Sequence, residues 1–468
     1  MRLCICLRRN LKDTAKIQNK QVLVSNGADS SSRRARRLCL DAYESALKAV
    51  DPAKCLQSWL RVEKNKLRVG SFEHSMDFRR IVILSVGKAS VPMLETSLRV
   101  LGRNEISAIL VTPDGSPTED LQDPRITIFK AGHPFPNQVG LRAGRYVEST
   151  TQRMSKDDLL ICLISGGASA LLVAPPREVT LKEKSLLTSQ LIRSNATIHE
   201  INTVRRHLSQ LKGGRLAEKC PASTVISLIM SDVVGNSLQD IGSGLTAPDP
   251  TTYKDAIGVL KKHNLWNRVS QSIAARFEKG VNGRLAETVK PQDPTFKRVH
   301  NFIIADNHVA CAAAARTLRQ QISCKILTSS AETDAGCMGR LLASVATDSE
   351  FLRKGCSLVI GGETTVTVRG TGIGGRNQEV ALSAVEQISG CLGTVVAAMG
   401  TDGIDGSSPT AGAVIDGNTL KRSKKMHLDP NSYLKRNDSY HFFRKLHDNI
   451  VTGRTGTNVG DVYLLIRV

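Results

Sequence analysis

Leu159-Leu160-Ile161-Cys162-Leu163-Ile164 runs directly into Ser165-Gly166-Gly167-Ala168-Ser169, and this stretch decides the fold. Six apolar residues without polar alternation read as a strand buried on both faces, and the glycines after them as a turn into a helix. The pattern recurs. Ile81 to Leu84 leads into Ser85-Val86-Gly87-Lys88-Ala89, Val225 to Met230 into Ser231-Asp232, and Phe302 to Ala305 into Asp306-Asn307. Leu358 to Ile360 precedes Gly361-Gly362-Glu363, and Val395 to Met399 precedes Gly400-Thr401-Asp402-Gly403. Buried strands alternating with helices predict an α/β protein, with two α/β domains whose mostly parallel sheets are covered by helices. Thr180-x-x-Glu183 and Thr197-x-x-Glu200 fit capping boxes at helix starts, and Lys212-Gly213-Gly214 is expected to close the second of these helices. Leu38 to Val50 has helical spacing as well. In open α/β sheets, ligands bind beyond the carboxyl ends of the strands, which is where each of these polar clusters lies.

A second stretch carries chemistry of its own. Gly370-Thr371-Gly372-Ile373-Gly374-Gly375 runs into Arg376-Asn377-Gln378-Glu379, after the strand-like Thr365-Val366-Thr367-Val368. Glycines at this density free N–H groups to point at an anion, and the arginine adds a rigid fork of donors for phosphate or carboxylate. The stretch lacks the Lys-Ser/Thr of a Walker A loop and the spacing of a dinucleotide fingerprint.

The chain has 468 residues, enough for two or three domains, and its 41% hydrophobic and 23% charged residues are those of a globular protein. No apolar run reaches the roughly 18 to 20 residues that span a bilayer, so no membrane partner is expected. Eleven scattered cysteines, without a CxxC pair, argue against a disulfide framework or a structural zinc and for a reducing compartment. The formal charge of +21 would suit a polyanion, but the basic residues are dispersed and aromatics make up only 4%, so no nucleic acid is expected. Part of the excess is a basic leader. Residues 1 to 40 hold ten Lys/Arg against Asp13 and Asp29, with the serines and scarcity of acids of a transit peptide and no secretory apolar core. The leader is assigned to residues 1–37, as a transit peptide or a disordered tail, with a mitochondrial or cytoplasmic address.

Single residues leave two readings open. Lys88 at a strand end can neutralise phosphate oxygens or face solvent. The Ser165-Gly166-Gly167 turn can offer N–H groups to an anion or serve close helix–strand packing. Asp232 can hold Mg²⁺, accept a hydroxyl proton or cap a turn, and Asp402 and Asp405 can be turn residues or a paired carboxylate site. Lysine, arginine, carboxylates and glycine-rich anion turns are together the parts that phosphoryl transfer needs. The segment Asn418 to Lys425 reads as solvated surface.

The ordered motifs resemble one family. Val86-Gly87-Lys88-Ala89, Gly132-His133-Pro134-Phe135-Pro136, Ile164-Ser165-Gly166-Gly167-Ala168-Ser169 and Ile201-Asn202-Thr203-Val204-Arg205-Arg206-His207 carry the resemblance in the first half. Ser231-Asp232-Val233-Val234-Gly235, Gly374-Gly375-Arg376-Asn377-Gln378-Glu379, Thr401-Asp402-Gly403-x-Asp405-Gly406 and Thr455-Gly456-Thr457-Asn458 continue it. From about residue 38 onward the chain resembles the class II glycerate kinases, whose C-terminal unit is the MOFRL domain. The resemblance implies ATP-dependent phosphorylation of D-glycerate at the 2-hydroxyl, with Mg²⁺, in a cleft between an N-terminal domain at 38–345 and a MOFRL-type domain at 346–468. It implies catalytic roles for Lys88, Asp232 and Arg376, with Asp232 orienting or deprotonating the hydroxyl and the two cations stabilising the transferring group. Ser165, Gly166, Gly167, Ser169, Gly374 and Gly375 are then nucleotide or phosphate contacts, Lys212, Asn377 and Asn458 substrate contacts, and Glu363, Asp402 and Asp405 metal ligands. A homodimer is the expected assembly. The chain departs from the family at Ala168, where a glycine is usual, at Asn137 and Asn236, where aspartates are usual, and at Leu245, where a proline is usual. The competing expectations are an oxidoreductase acting on hydroxypyruvate and an inactive nucleotide or sugar-acid binder.

Overall fold

The structure, a computed structural model, describes residues 16–102, 105–348 and 350–468. The first fifteen residues of the basic leader lie outside the described residues. Packing divides the chain into two compact units: Pro52–Asp306, and the described part of Met1–Asp51 together with Asn307–Val468. By packing, the chain passes from one unit to the other at 306/307, and the described amino-terminal helices group with the C-terminal unit.

In Pro52–Asp306 a small antiparallel ribbon, β1 (Leu60–Glu63), β2 (Lys66–Val69) and β3 (Phe72–Ser75), precedes the main sheet. The main sheet holds β4 (Arg80–Val86), β5 (Ile106–Pro113), β6 (Ile126–Ala131), β7 (Asp158–Ile164), β8 (Thr224–Met230) and β9 (Val299–Ala305). All its pairs are parallel and the order is β6-β5-β4-β7-β8-β9. Every residue of β7 and β8 is buried, which is why both read as unbroken apolar runs. The chain moves outward from β4 to β6, then returns to β7 on the other side of β4 and proceeds to β9. The direction reverses between β4 and β7, the topological switch point where α/β sheets open a crevice.

Helices Leu181–Arg193, Ile198–His207 and Tyr253–Lys262 each begin with a two-way capping box, at Thr180/Glu183, Thr197/Glu200 and Thr252/Asp255. Their apolar faces meet in a separate cluster around Leu187, Leu191, Val204, Tyr253 and Phe277. The helix Ile198–His207 ends at Leu208, without the expected glycine; Gly213 and Gly214 instead take positive φ at the start of the helix Arg215–Lys219. The same helical cluster buries a lysine. Lys184 Nζ donates to Leu208 O at 2.6 Å, and burial, helped by Arg205 and Arg276, pushes its ammonium down to about 7.

In the C-terminal unit the sheet runs β10 (Ser323–Ala331), β11 (Cys356–Gly362), β15 (Asp461–Arg467), β12 (Thr394–Gly400), β13 (Gly412–Asp416) and β14 (Asn449–Ile450). The α/β class holds, with a mixed sheet: β10 and β11 are parallel, and β15 is inserted antiparallel between β11 and β12. An apolar run reports burial on both faces but not direction. Leu358, Ile360, Val396, Ala398, Tyr463 and Leu465 form one core with the helices Ala335–Thr347, Arg376–Ala384 and Ser439–Leu446.

The helix Ser30–Ala49 packs against β12 and the helix Asn307–Arg319, and Tyr43 donates to Val462 O at 3.1 Å. The serine–arginine segment read as a leader is its first two turns, with Asp29 as N-cap accepting from Ser32 N at 2.7 Å. Arg36 is fully buried between Asp416 (2.5 Å) and Asp448 (2.9 Å). Burial opposes its charge, but the two carboxylates more than offset that and raise its pKa. Gln18 N also reaches Val451 O at 2.8 Å, and Asn19 brackets Val451 N and Asn449 O, so residues 17–37 are part of the packed unit and not a detachable leader. Removal of a leader that keeps this unit intact has to stop before Ile17.

Two predictions follow from these buried cations. Arg36→Met leaves two carboxylates buried without their shared counter-ion and is expected to cost roughly 3–5 kcal/mol in urea denaturation of the C-terminal unit; a change below about 1 kcal/mol would show that the pair is solvated. For Lys184 the folded pKa lies below the 10.5 of an ordinary lysine, so the folded chain binds fewer protons there than the unfolded one. Its penalty grows as the pH falls from about 10 and is nearly complete by about pH 7. The Tm of Lys184→Met relative to the parent should therefore rise over that interval, and a difference independent of pH would refute the assignment.

Candidate active site

At the switch point the ends of β4 and β7 are laced together. Ser165 N donates to Val86 O at 3.0 Å, Lys88 N to Gly166 O at 2.9 Å, and Ala89 N to Ser165 Oγ at 3.0 Å. The Ser165 hydroxyl is thus a buried strut and not an open ligand. Gly87 has φ +126°, and a Cβ there would lie 2.2 Å from Ser165 Oγ, so only glycine allows this lacing. Gly167 turns into the helix Ala168–Leu171 at φ +88°. A Cβ on it would stand 3.0 Å from the His133 ring and 3.6 Å from Lys88 Cγ, so both side chains lie over the turn. The N–H groups of Gly166, which is buried, and Gly167 find no acceptor among the described residues. A buried donor of that kind is rare, and with its neighbour beside a lysine it fits an oxyanion.

Ser169 and Lys212 brace this turn. Ser169 Oγ pairs with Ser243 Oγ at 2.8 Å, and Lys212 Nζ donates to Ser169 O at 2.9 Å and Gly242 O at 3.4 Å. Lys212 is 1% exposed, and burial, then Lys184 and Arg205, hold its ammonium well below the usual lysine range. It clamps the backbone of this turn. Asp232 follows β8, partly exposed, and Asp306 follows β9 and accepts from Asn236 Nδ2 at 2.6 Å.

The departures from the family pattern are absorbed locally. Ala168 is buried without positive φ, because Gly167 carries the left-handed conformation. Asn137 still caps the helix Gln138–Gln152, accepting from Gly140 N at 3.0 Å. Leu245 fills the core below the turn.

In the C-terminal unit the site is built on Asp461, a residue the sequence reading missed. It opens β15 and stands opposite Gly362 of β11 on one side and Gly400 of β12 on the other. It is fully buried. Arg376 Nε donates to its Oδ2 at 2.6 Å and Arg376 Nη2 to its Oδ1 at 3.1 Å. Asn377 Nδ2 reaches Oδ1 at 3.1 Å and the Tyr463 hydroxyl Oδ2 at 3.2 Å. The remaining terminal nitrogen of Arg376, Nη1, pairs with Glu363. Burial opposes the guanidinium's charge, yet Asp461 and Glu363 outweigh it and hold Arg376 firmly protonated.

The glycine-rich loop before Arg376 differs from its expected form. Thr365 makes a single bridge to Asp334, and Thr365 to Val368 form no strand. Gly370 N donates to Asn437 Oδ1, Gly372 N to Arg436 O, Ile373 N to Asp438 Oδ1 and Gly374 N to Ser407 Oγ. Side chains on Gly374 or Gly375 would collide with Ser439 and Asp405. These glycines therefore bring the backbone close to the protein's own chain, where the N–H groups of Gly370, Gly372 and Gly374 are spent, while that of Gly375 finds no acceptor among the described residues.

The three expected metal carboxylates are engaged as well. Asp405 accepts from Asn377 N (3.0 Å), Gln378 N (2.8 Å) and both side-chain amides, capping the helix Arg376–Ala384. Burial pushes its carboxyl up to about 6 against the pull of those N–H groups. Asp402 accepts from Ile404 N at 3.1 Å, and Glu363 holds Arg376. Among the described residues no group of three or more His, Cys, Asp or Glu side chains is gathered as for a metal ion. Of the expected substrate contacts, Asn377 is 1% exposed and Asn458 7% exposed.

On this α/β frame a lysine lies beside a glycine turn in one unit, and an arginine is fixed by a buried aspartate in the other. Comparison with known proteins identifies the family. Residues 38–278 match the family described as a domain of unknown function, DUF4147, and residues 356–461 match the MOFRL family. The chain is 37% identical to glycerate 2-kinase of Pyrococcus horikoshii, across 92% of this chain and 97% of that one. The crystal structure of glycerate kinase from Thermotoga maritima superposes with a TM-score of 0.77 at 36% identity, covering 92% of this chain and 99% of that one. A protein of Agrobacterium vitis named as a putative hydroxypyruvate reductase is 35% identical across 83% of this chain and 87% of its own. The chain belongs to the glycerate kinase family that carries a MOFRL domain.

The lacing of β4 to β7 yields a direct prediction. Gly87→Ala forces a methyl group onto Ser165 Oγ in a conformation L-residues rarely adopt, and should cost about 1–3 kcal/mol. Thermal denaturation reads this, and an unchanged Tm would mean that the strand ends are not joined through Ser165.

Proposed function

We propose that the chain transfers the terminal phosphoryl group of MgATP to the 2-hydroxyl of D-glycerate. Membership of the glycerate kinase family supports the reaction class. The observation that carries the site is the pair of acceptor-less N–H groups of Gly166 and Gly167 beneath Lys88 at the switch point. Phosphoryl transfer needs fixed donors and positive charge around spread phosphate oxygens more than covalent help, and this turn supplies both. Lys88 neutralises the transferring group as a point charge. Asp232, at the carboxyl end of β8, orients the glycerate hydroxyl and takes its proton as the new P–O bond forms. In the C-terminal unit Arg376, fixed by Asp461, is a permanent cation suited to a substrate oxyanion. Mg²⁺ enters as part of the nucleotide substrate, on the phosphate oxygens. The formal charge of +21 draws both anionic substrates to the protein.

The reductase reading requires a glycine fingerprint that opens a helix after a strand, with an acidic residue about 20 positions on. The turns after β4 and β7, Gly87-Lys88-Ala89 and Ser165-Gly166-Gly167, do not have that spacing. The test is ADP release by the full chain with MgATP and a panel of small hydroxy acids. D-glycerate should be the preferred acceptor, and Lys88→Ala should lower kcat by at least about 100-fold while the Tm is retained. NADH oxidation by hydroxypyruvate, without ADP release from any hydroxy acid, would overturn the proposal.

A further inference from the structure

Arg376 is held by two carboxylates that differ in kind. Asp461 is 1% exposed at its side chain, grips Arg376 through two parallel contacts at 2.6 and 3.1 Å, and is itself fixed by Asn377 and Tyr463. The strand pairing on both of its sides leaves it no freedom, because Asp461 is registered between Gly362 and Gly400. Glu363 is 41% exposed, sits just past the end of β11, and meets a different edge of the guanidinium through Nη1. Arg376 keeps a third of its side chain exposed. A buried, doubly bonded carboxylate cannot leave without stranding a charge, whereas a half-exposed one exchanges with solvent ions at little cost.

From this asymmetry we infer that Asp461 is the permanent positioning residue of Arg376, and that the Glu363 carboxylate occupies the place on Arg376 that a substrate oxyanion takes. Glu363 is then an internal competitor. It keeps the guanidinium oriented in the resting enzyme and gives way to a phosphate or carboxylate of matching charge and geometry. The inference rests on the assignment of Arg376 to the reaction made above. It predicts opposite outcomes for two carboxylates that touch the same side chain. Removing the competitor should tighten anion binding, and removing the positioner should weaken catalysis.

The experiment compares Glu363→Gln and Asp461→Asn with the parent, in the full chain. Calorimetric titrations with inorganic phosphate, with ATP and with D-glycerate identify which anion displaces Glu363. Steady-state kinetics then separate KM from kcat. Glu363→Gln should tighten binding of the displacing anion about threefold to fivefold and lower the matching KM. Asp461→Asn should lower kcat by at least about tenfold, with no gain in affinity for any of the three probes. A merely structural role for either residue would change Tm without producing this split. Weaker or unchanged anion binding in Glu363→Gln overturns the assignment of Glu363, and an unchanged kcat in Asp461→Asn overturns that of Asp461. If Asp461→Asn does not fold, Arg376→Lys, which keeps the charge and loses the parallel contacts, replaces it with the same expected loss of kcat. Should the parent itself turn over no substrate, the kinase reading falls, while phosphate affinity in Glu363→Gln still decides the competitor assignment.

Discussion

A carboxylate buried at the head of a central strand has to be answered by donors, since an uncompensated charge there would cost more than a domain can spare. Asp461 imposes that constraint on the C-terminal unit. Arg376, Asn377 and Tyr463 answer it, and their positions follow from it: the helix Arg376–Ala384 must begin within reach of the start of β15, between the ends of β11 and β12. Asp405 completes the arrangement by capping the same helix. The glycines at 370–375 are required because the segment leading to that helix threads against residues 405–407 and 436–439. The motif that reads as an open anion loop is, in the fold, the means of delivering one arginine to one aspartate.

The Pro52–Asp306 unit solves a different problem. Where the strand order reverses, the carboxyl ends of β4 and β7 must be closed without a third strand between them. Ser165 and Gly87 close them, and Lys212 clamps the turn from beneath. What remains without an acceptor among the described residues is a pair of backbone donors, with the Lys88 side chain beside them. The first unit therefore offers N–H groups while the second offers a guanidinium, and in each the surrounding polar groups are spent on holding those donors in place.

Much of this was legible in the sequence because burial on both faces leaves an unbroken apolar run, and the residue after such a run lies at the strand's carboxyl end. Lys88, Asp232 and the turn at 165–167 were placed at strand ends in that way. Asp461 was not, because an aspartate before Val462-Tyr463-Leu464-Leu465-Ile466 looks like the end of a loop; only the antiparallel pairing with β11 and β12 brings it to the site. Arg36 was misread for a related reason. Among Arg33, Arg34 and Arg37 it resembles part of a solvated basic tail, and the carboxylates that make it core lie 380 and 412 residues further on. Asp402 and Asp405 allowed a metal site or turn chemistry on sequence grounds, and the cap on the helix Arg376–Ala384 settles Asp405 as the latter. Charge pattern alone cannot separate a carboxylate that binds a ligand from one that holds an arginine or caps a helix, because that choice depends on contacts distant in sequence.

The most direct test of the central claim is the identity of the product. Purified protein is incubated with MgATP and D-glycerate, and the phosphorylated acid is resolved by phosphorus NMR against authentic standards. The account predicts 2-phosphoglycerate formed in step with ADP. Product at the 3-hydroxyl would contradict the assigned acceptor, and no phosphorylated acid at all would contradict the phosphoryl-transfer reading of the switch-point turn.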